Sequence, residues 1–313
     1  MGESKGAAMA FGVADIPDLT DRVAVVTGAN GGLGLQTARV LAAKGAHVLL
    51  AARDQPKTVR AIEAITRETP DARLTAVPLD LSDLASVGQA ASAIVARVSR
   101  VDLLVNNAGV MGTPQGWTAD GFETQLGVDH LGHWALTAHL LPALLAAGAA
   151  RVVTVTSFAR LMGRPLDPAD LNLDGGYDPW RAYGRAKLAN YHFGLGLQDA
   201  FARSGASASS LLAHPGLAHT DLQPTTVRLG GAGAQARFWA WYAGRFGMSP
   251  ADAALPQLRA ATDPRARGGE FYGPRFTTFG PAARLPVLRR GNAEAIRTLW
   301  DVSERATGLS INP

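Results

Sequence analysis

The sequence predicts a doubly wound α/β fold, with one parallel sheet covered by helices on both faces. Three observations carry this. Six short apolar runs alternate with helix-like stretches between Val23 and Leu212. The runs are nearly continuous in apolar residues, as in strands buried on both faces. A glycine-rich turn joins the first run to the first helical stretch. Crossovers between parallel strands are right-handed, which makes the winding double.

The first strand spans Val23 to Thr27, and its helix runs to about Lys44. His47 to Ala51 forms the second strand. Helix-like sequence to Arg67 leads to a third strand at Leu74 to Val77, and a helix from Asp83 to Arg97 leads to a fourth at Val101 to Val105. A long helical region from Thr118 to Ala147 is expected to bend near Pro142, where a backbone N–H is missing. Strand Arg151 to Val155 follows, then a polar, Pro-rich stretch from Arg160 to Pro179. A helix from about Trp180 to Arg203 and a sixth strand at Ala208 to Leu212 complete the alternation. Residues 1–20 are small and polar and read as a flexible N-terminal arm. Residues 21–313 read as a single domain, with the Gly- and aromatic-rich stretch 217–248 as a lid over the substrate.

Composition excludes several classes. With 47% hydrophobic and 18% charged residues, the chain of 313 residues is neither disordered nor fibrous. Thirty basic against 26 acidic residues, without a basic run, gives little support for nucleic-acid binding. The absence of cysteine removes disulfides, zinc thiolates and a thiol nucleophile. The start of the chain lacks a basic-then-apolar leader, so a cytoplasmic protein is expected. The uncharged stretch from His130 to Ala150 is long enough to span a bilayer. It holds three histidines and Pro142, however, and a strand-like run follows at once, so it reads as a buried helix without stable membrane insertion. His130, His133 and His139 lack the further ligands of a metal site, and no metal is expected.

The chemistry-bearing motifs lie where strands end. The turn TGANGGLG, Thr27 to Gly34, would offer backbone N–H groups at a helix N-terminus to a pyrophosphate, with Gly allowing close approach. An acidic side chain that would bind the ribose of NAD is absent from the end of the second strand, which reads Ala51-Ala52-Arg53. A guanidinium there suits a 2′-phosphate, so NADP is preferred and NAD remains possible. Asp80, before Leu81, is placed either to bond an adenine amine or to cap the next helix. NNAG, Asn106 to Gly109, closes the fourth strand. Ser157 closes the fifth. Tyr183 and Lys187, in YGRAK, share one helix face at a spacing of four. A nearby ammonium lowers the pKa of a phenol, and a Ser hydroxyl can hold a substrate oxygen, so the three together can move a proton as a hydride moves.

TGANGGLG, NNAG, VTVTS, YGRAK and HPGLAHT stand in the order and spacing of the short-chain dehydrogenase/reductase family, which the chain resembles from Asp21 to about Gly308. It is most similar to the branch of retinol dehydrogenases and protochlorophyllide reductases, and to bacterial proteins of that type. GVDHLGHWALTAHLLP, YDPWRAYGRAKLAN, HPG, GGEFYGP and LWDVSERATG carry this closer similarity. The resemblance implies Ser157, Tyr183 and Lys187 as catalytic residues. It implies cofactor contacts at Gly28, Asn30, Gly32, Leu33, Gly34, Arg53, Asp80, Leu81 and Asn107 with Ala108 and Gly109. Pro215, Gly216 and Thr220 would lie near the nicotinamide.

The sequence also departs from the family. Asp129 stands where the family has Asn in NHLGH, a position that helps hold a water relay from the lysine, so Asp129 joins the catalytic set with an altered role. Ala186 replaces a common Ser. The 26 positions from Ser157 to Tyr183 are more than in compact members, and the extra segment precedes a helix that many members use to dimerise. A monomer or homodimer is therefore expected instead of the usual tetramer. The expected function is NADP-dependent hydride transfer to or from a small-molecule carbonyl or alcohol. The lid aromatics Phe238, Trp239, Trp241, Tyr242 and Phe246 point to an apolar substrate. The alternative, favoured by Asp129, is a cofactor-binding regulatory or scaffolding protein with little turnover.

Overall fold

In the computed structural model, residues 10–218, 244, 245, 247–288 and 292–313 are described. The first half of the sheet is built by β1 (Val23–Thr27), β2 (His47–Ala52), β3 (Leu74–Pro78) and β4 (Leu103–Asn106), linked by α1 (Gly32–Ala43), α2 (Gln55–Glu68) and α3 (Leu84–Val95). A short α4 (Thr124–Leu126), a π-helical turn (Gly127–Leu131) and α5 (Gly132–Leu145) lead to β5 (Arg151–Val155). A 3-10 turn (Phe158–Met162), the long α6 (Pro179–Ser204) and β6 (Ser209–Ala213) follow. The C-terminal part adds α7 (Pro250–Thr262), β7 (Phe271–Pro274), β8 (Ala282–Leu285) and α8 (Asn292–Thr307).

The strand order is β3-β2-β1-β4-β5-β6-β7-β8. All neighbours pair in parallel except β7 and β8. Strand order reverses between β1 and β4, which opens a crevice at their carboxyl ends. Alternate strand residues feed two cores. Val25, Leu104 and Val152 pack under α3, α5 and α6. Val26, Val105 and Val153 pack under α1, α2 and α7. The Rossmann-like doubly wound sheet is thus the predicted one, with two strands beyond the six. Neither FYGP nor AARL is a β-branched apolar run, and pairing with β6 and with each other makes them strands.

Three expectations need correction. Residues 1–9 lie outside the described residues, but 10–20 are no loose arm. Phe11, Ile16 and Leu19 are buried. Phe11 bridges to Ala282, and Leu19 N–H donates to the Lys44 carbonyl at 2.7 Å. Three scattered apolar residues show no periodicity in sequence, yet each finds a place on the body. The long helix begins at Thr124 instead of Thr118, because Asp120-Gly121 makes a tight turn that bonds Thr118 to Phe122. Its irregularity lies in the π turn around Asp129, whereas Pro142 sits inside α5. Of the lid 217–248, residues 219–243 and 246 lie outside the described residues, and with them Thr220 and all five lid aromatics.

Candidate active site

Side chains cap α2, α3, α6 and α7: Asp54, Asp83, Asp178 and Ser249 accept backbone N–H bonds there. No side chain caps α1, whose N-cap is Gly31. The first-turn N–H groups of that helix are therefore left for an anion. Gly34 lets α1 close on the turn, since a Cβ there would collide with the Gly28 carbonyl and Asn107. Gly28 takes φ +66°, in the left-handed region, and packs on Ala108. Asn30 ties the turn to the Asp54 carbonyl at 3.2 Å. Gly32 and Leu33 begin α1 beside them.

Thr27 organises the next strand end. Its hydroxyl accepts from the N–H groups of Asn107 and Ala108, both at 2.9 Å, and lies 2.9 Å from Nε2 of His133. Nδ1 of His133 faces the Asp129 carbonyl at 2.9 Å and so carries the proton, leaving Nε2 to accept from Thr27. Asn107 donates to the Thr27 carbonyl at 2.8 Å and accepts from Gln257 of α7 at 3.2 Å. Thr27, His133 and Gln257 escaped the sequence reading. No motif marks a glutamine 150 residues from its partner, as Gln257 is from Asn107.

Arg53 lies just beyond β2, 76% exposed, with Asp80 at 3.8 Å. Asp80 folds onto its own loop, accepting from the N–H and hydroxyl of Ser82 at 2.9 and 2.6 Å. The cap of α3 is Asp83, so the capping alternative for Asp80 does not form. Leu81 is buried, its backbone against Gly132. Past β6, the Gly216 N–H donates to Nδ1 of His214 at 3.0 Å. A Cβ at Gly216 would meet Pro274 and the Thr278 carbonyl, which holds the segment after Pro215 against the β7–β8 turn.

Tyr183, Lys187, Ser157 and Asp129 meet at the carboxyl ends of β4 and β5. Ser157 caps the 3-10 turn through Ala159 N–H at 3.2 Å, and its hydroxyl stands beside that of Tyr183. Lys187 Nζ lies 5.6 Å from the Tyr183 ring centroid and 2.9 Å from Oδ2 of Asp129. Oδ1 of Asp129 accepts from Val110 N–H at 2.7 Å. Gly109 leaves room for the pair, for a Cβ there would stand 3.0 Å from both Asp129 Oδ1 and Lys187 Nζ. Burial pushes the Asp129 carboxyl up, while Lys187 and Val110 pull against it. Burial alone would lower Lys187, but Asp129 and Tyr183 together more than offset this and hold the ammonium above its ordinary value. Burial raises Tyr183, with Lys187 and Ser157 opposing and Asp129 adding to the rise.

The histidines of this region diverge. His130 bonds Ser303 of α8 at 2.8 Å, while His133 serves Thr27. Among the described residues no three His, Asp or Glu side chains converge as metal ligands, and no helix is long and apolar enough to cross a membrane.

The residues present fit a dinucleotide. The start of α1 is uncapped, Gly34 lets that helix close on the Gly28 turn, and Arg53 stands exposed past β2. Enzymes that transfer a hydride through a nicotinamide cofactor need a phosphate cradle and a proton-handling group side by side, and this sheet edge supplies both. A short chain dehydrogenase model matches residues 22–228, and the chain belongs to the short-chain dehydrogenase/reductase family, in its retinol dehydrogenase-like branch. It is an NAD(P)-dependent oxidoreductase. Mouse retinol dehydrogenase 13 is 36% identical over 297 residues, covering 93% of this chain and 85% of that protein. Mouse polyprenol dehydrogenase is 38% identical, covering 94% and 86%. A crystal structure of an uncharacterised Mycobacterium paratuberculosis protein is 38% identical with a TM-score of 0.78, covering 97% of this chain and all of that one.

Proposed function

We propose that this chain transfers a hydride between NADP(H) and an apolar alcohol or carbonyl compound, with Tyr183 as the acid–base group. The observation that carries this is the cluster itself: a buried Tyr183 hydroxyl on Ser157, with Lys187 beneath the ring. A nicotinamide dinucleotide, when bound, gives or takes the hydride at the substrate carbon. Ser157 holds the substrate oxygen, and Tyr183 gives it a proton or takes one away. Lys187 donates to the ribose side and restores the Tyr183 proton. The uncapped α1 N-terminus, Gly28, Asn30 and Gly32 to Gly34 hold the pyrophosphate, and Leu81 with Asn107 to Gly109 lines the adenosine and ribose side. Arg53 meets a 2′-phosphate and Asp80 the adenine amine, while Pro215 and Gly216 border the nicotinamide.

An apolar substrate is supported by side chains beside these residues. Phe158, Leu161 and Met162, directly after Ser157, are 47%, 57% and 58% exposed. Phe276 and Phe279, on the turn clamped to Gly216, stack at 5.4 Å and are about as exposed. Apolar groups gathered at a site mouth mark a binding surface. The names of the two mouse relatives, retinol and polyprenol dehydrogenase, agree with a long apolar alcohol. The test is a titration with NADPH and NADH, followed by a turnover screen over aliphatic, isoprenoid and steroid alcohols and carbonyls. NADPH binding with NADPH-dependent turnover on an apolar carbonyl is the expected result. Tight cofactor binding without turnover on any of them would favour a regulatory role instead.

A further inference from the structure

The proton-handling tyrosine faces no net charge. Asp129 is fully buried, with Lys187 on one carboxylate oxygen at 2.9 Å and Val110 N–H on the other at 2.7 Å. Among the described residues, every other titratable neighbour is neutral or engaged elsewhere. Burial holds His130 and His133 of the π turn and α5 down to about 3 and about 4, so both are uncharged at neutral pH. From α8, Ser303 meets His130, and from β5, Thr156 donates its hydroxyl to the Lys187 carbonyl. Arg185 of α6 turns to the carbonyls of Asp170 and Leu171 and to Glu123, which the start of α4 also engages. Arg160 of the 3-10 turn lies over the Tyr191 and Phe271 rings. Among the described residues, the charges beside the Tyr183 hydroxyl are one ammonium and the carboxylate that cancels it.

We propose that Asp129 sets the pH window of this active site: by cancelling the Lys187 charge it keeps Tyr183 a proton donor through neutrality and confines its use as a base to alkaline pH. This rests on Tyr183 being the acid–base group. A lone ammonium favours a neighbouring phenolate, and a carboxylate in contact with the ammonium removes most of that help. In carbonyl reduction the Tyr183 O–H bond breaks and its proton goes to the substrate oxygen, while the carbon receives the hydride supplied by the reduced dinucleotide. The phenolate then regains a proton from the Lys187 ammonium, which solvent replenishes. Alcohol oxidation runs the same transfers backwards and needs the phenolate at the outset. The equilibrium constant fixes the ratio of forward to reverse efficiency at any one pH, so Asp129 favours neither direction. It fixes the pH at which the phenol ionises.

The test compares wild type, Asp129→Asn and Tyr183→Phe. Tyrosinate ultraviolet absorbance is followed against pH in the cofactor-free proteins, and Tyr183 is read as the difference from Tyr183→Phe. Both directions of turnover are profiled against pH on one alcohol–carbonyl couple. In Asp129→Asn, ionisation of Tyr183 and the limbs of both profiles are expected to move down by about 1–3 pH units, with NADPH affinity unchanged. Alcohol oxidation at neutral pH should rise by up to about tenfold for each unit moved. Superimposable titrations and profiles would overturn the proposal. Should Asp129→Asn melt, the wild type alone decides: Tyr183 must ionise above the ordinary phenol value of about 10, and ionisation near neutrality would overturn the proposal. Full turnover by Tyr183→Phe would remove the underlying assignment, and the absorbance titration would still report what Asp129 does to the phenol.

Discussion

At the residue scale, the proposed function divides the work between the Tyr183 hydroxyl, for the proton, and the Arg53 guanidinium, for the phosphate. On the proposed assignment, Tyr183→Phe lowers kcat by ~100-fold or more, the scale for removing an acid–base group. NADPH affinity should hold, because backbone groups of the uncapped α1 carry the nucleotide. Steady-state kinetics beside a fluorescence titration check both halves, and near-normal turnover would remove Tyr183 from the mechanism. Arg53 is exposed, with Asp80 its one ion-pair partner among the described residues, at 3.8 Å, and can turn to a ligand phosphate. Arg53→Ala should weaken NADPH binding about tenfold and leave NADH binding unchanged, the lower end for a charge-assisted bond at an exposed site. Equal losses for both cofactors would mean that Arg53 does not read the 2′-phosphate. The Tyr183–Lys187 spacing and the missing acid before Arg53 are legible in the sequence, since both follow from helix period and strand position. The 2.9 Å contact between Asp129 and Lys187 is not, because it joins a π turn to a helix 58 residues later.

At the element scale, α8 decides what face α5 and α6 present. Trp300 stacks edge-on to Trp134 at 4.9 Å and packs on Phe193 at 6.0 Å. It fills the space over Gly196, where any Cβ would strike its ring. Ser303 bonds His130, and Trp134 Nε1 donates to the Leu309 carbonyl at 2.9 Å. This face of α5 and α6 is thereby covered from within the chain. The protein is expected to sediment as a monomer near 32.7 kDa. Trp300→Ala, by uncovering Trp134 and Phe193, should cost about 2 kcal/mol, less than a fully buried ring, and promote association. A wild-type dimer in sedimentation velocity would show that α8 does not close this face. The alternation read in the sequence ends at the sixth strand, and the place of α8 is visible only where Gly196 and Trp300 meet.

At the scale of the whole molecule, three buried histidines couple folding to pH. His130, His133 and His214 are held down to about 3, about 4 and about 4 by burial, against an ordinary value of 6.5. Below pH 6.5 the unfolded chain takes up protons that the folded chain refuses, so stability is full above that value and falls as pH drops toward 4. Each histidine should cost about 2 kcal/mol by about pH 5. Urea denaturation at neutral pH and near pH 5 checks this, and an unchanged midpoint would mean that these rings are protonated in the fold. The sequence places His130 and His133 in a buried helix, but does not show what each ring meets. His130 and His133 lie near each other in the chain, and only the π turn sends one to Ser303 and the other to Thr27.

The sequence by itself determined the alternation of apolar runs and helices, the glycine turn after β1, and the Ser157, Tyr183 and Lys187 set. These depend on local periodicity and on motifs contiguous in the chain, where neighbouring residues dictate geometry. Only the tertiary structure decided the docking of Phe11, Ile16 and Leu19, the strands β7 and β8, the closing helix α8, and the burial of Asp129 against Lys187. Each of those depends on a partner far along the chain. A strand such as FYGP or an arm with three scattered apolar residues gains its stability from the surface it meets, not from its own pattern. The charge state around Tyr183 belongs with them, because it is set by how completely the fold excludes water from one carboxylate and one ammonium.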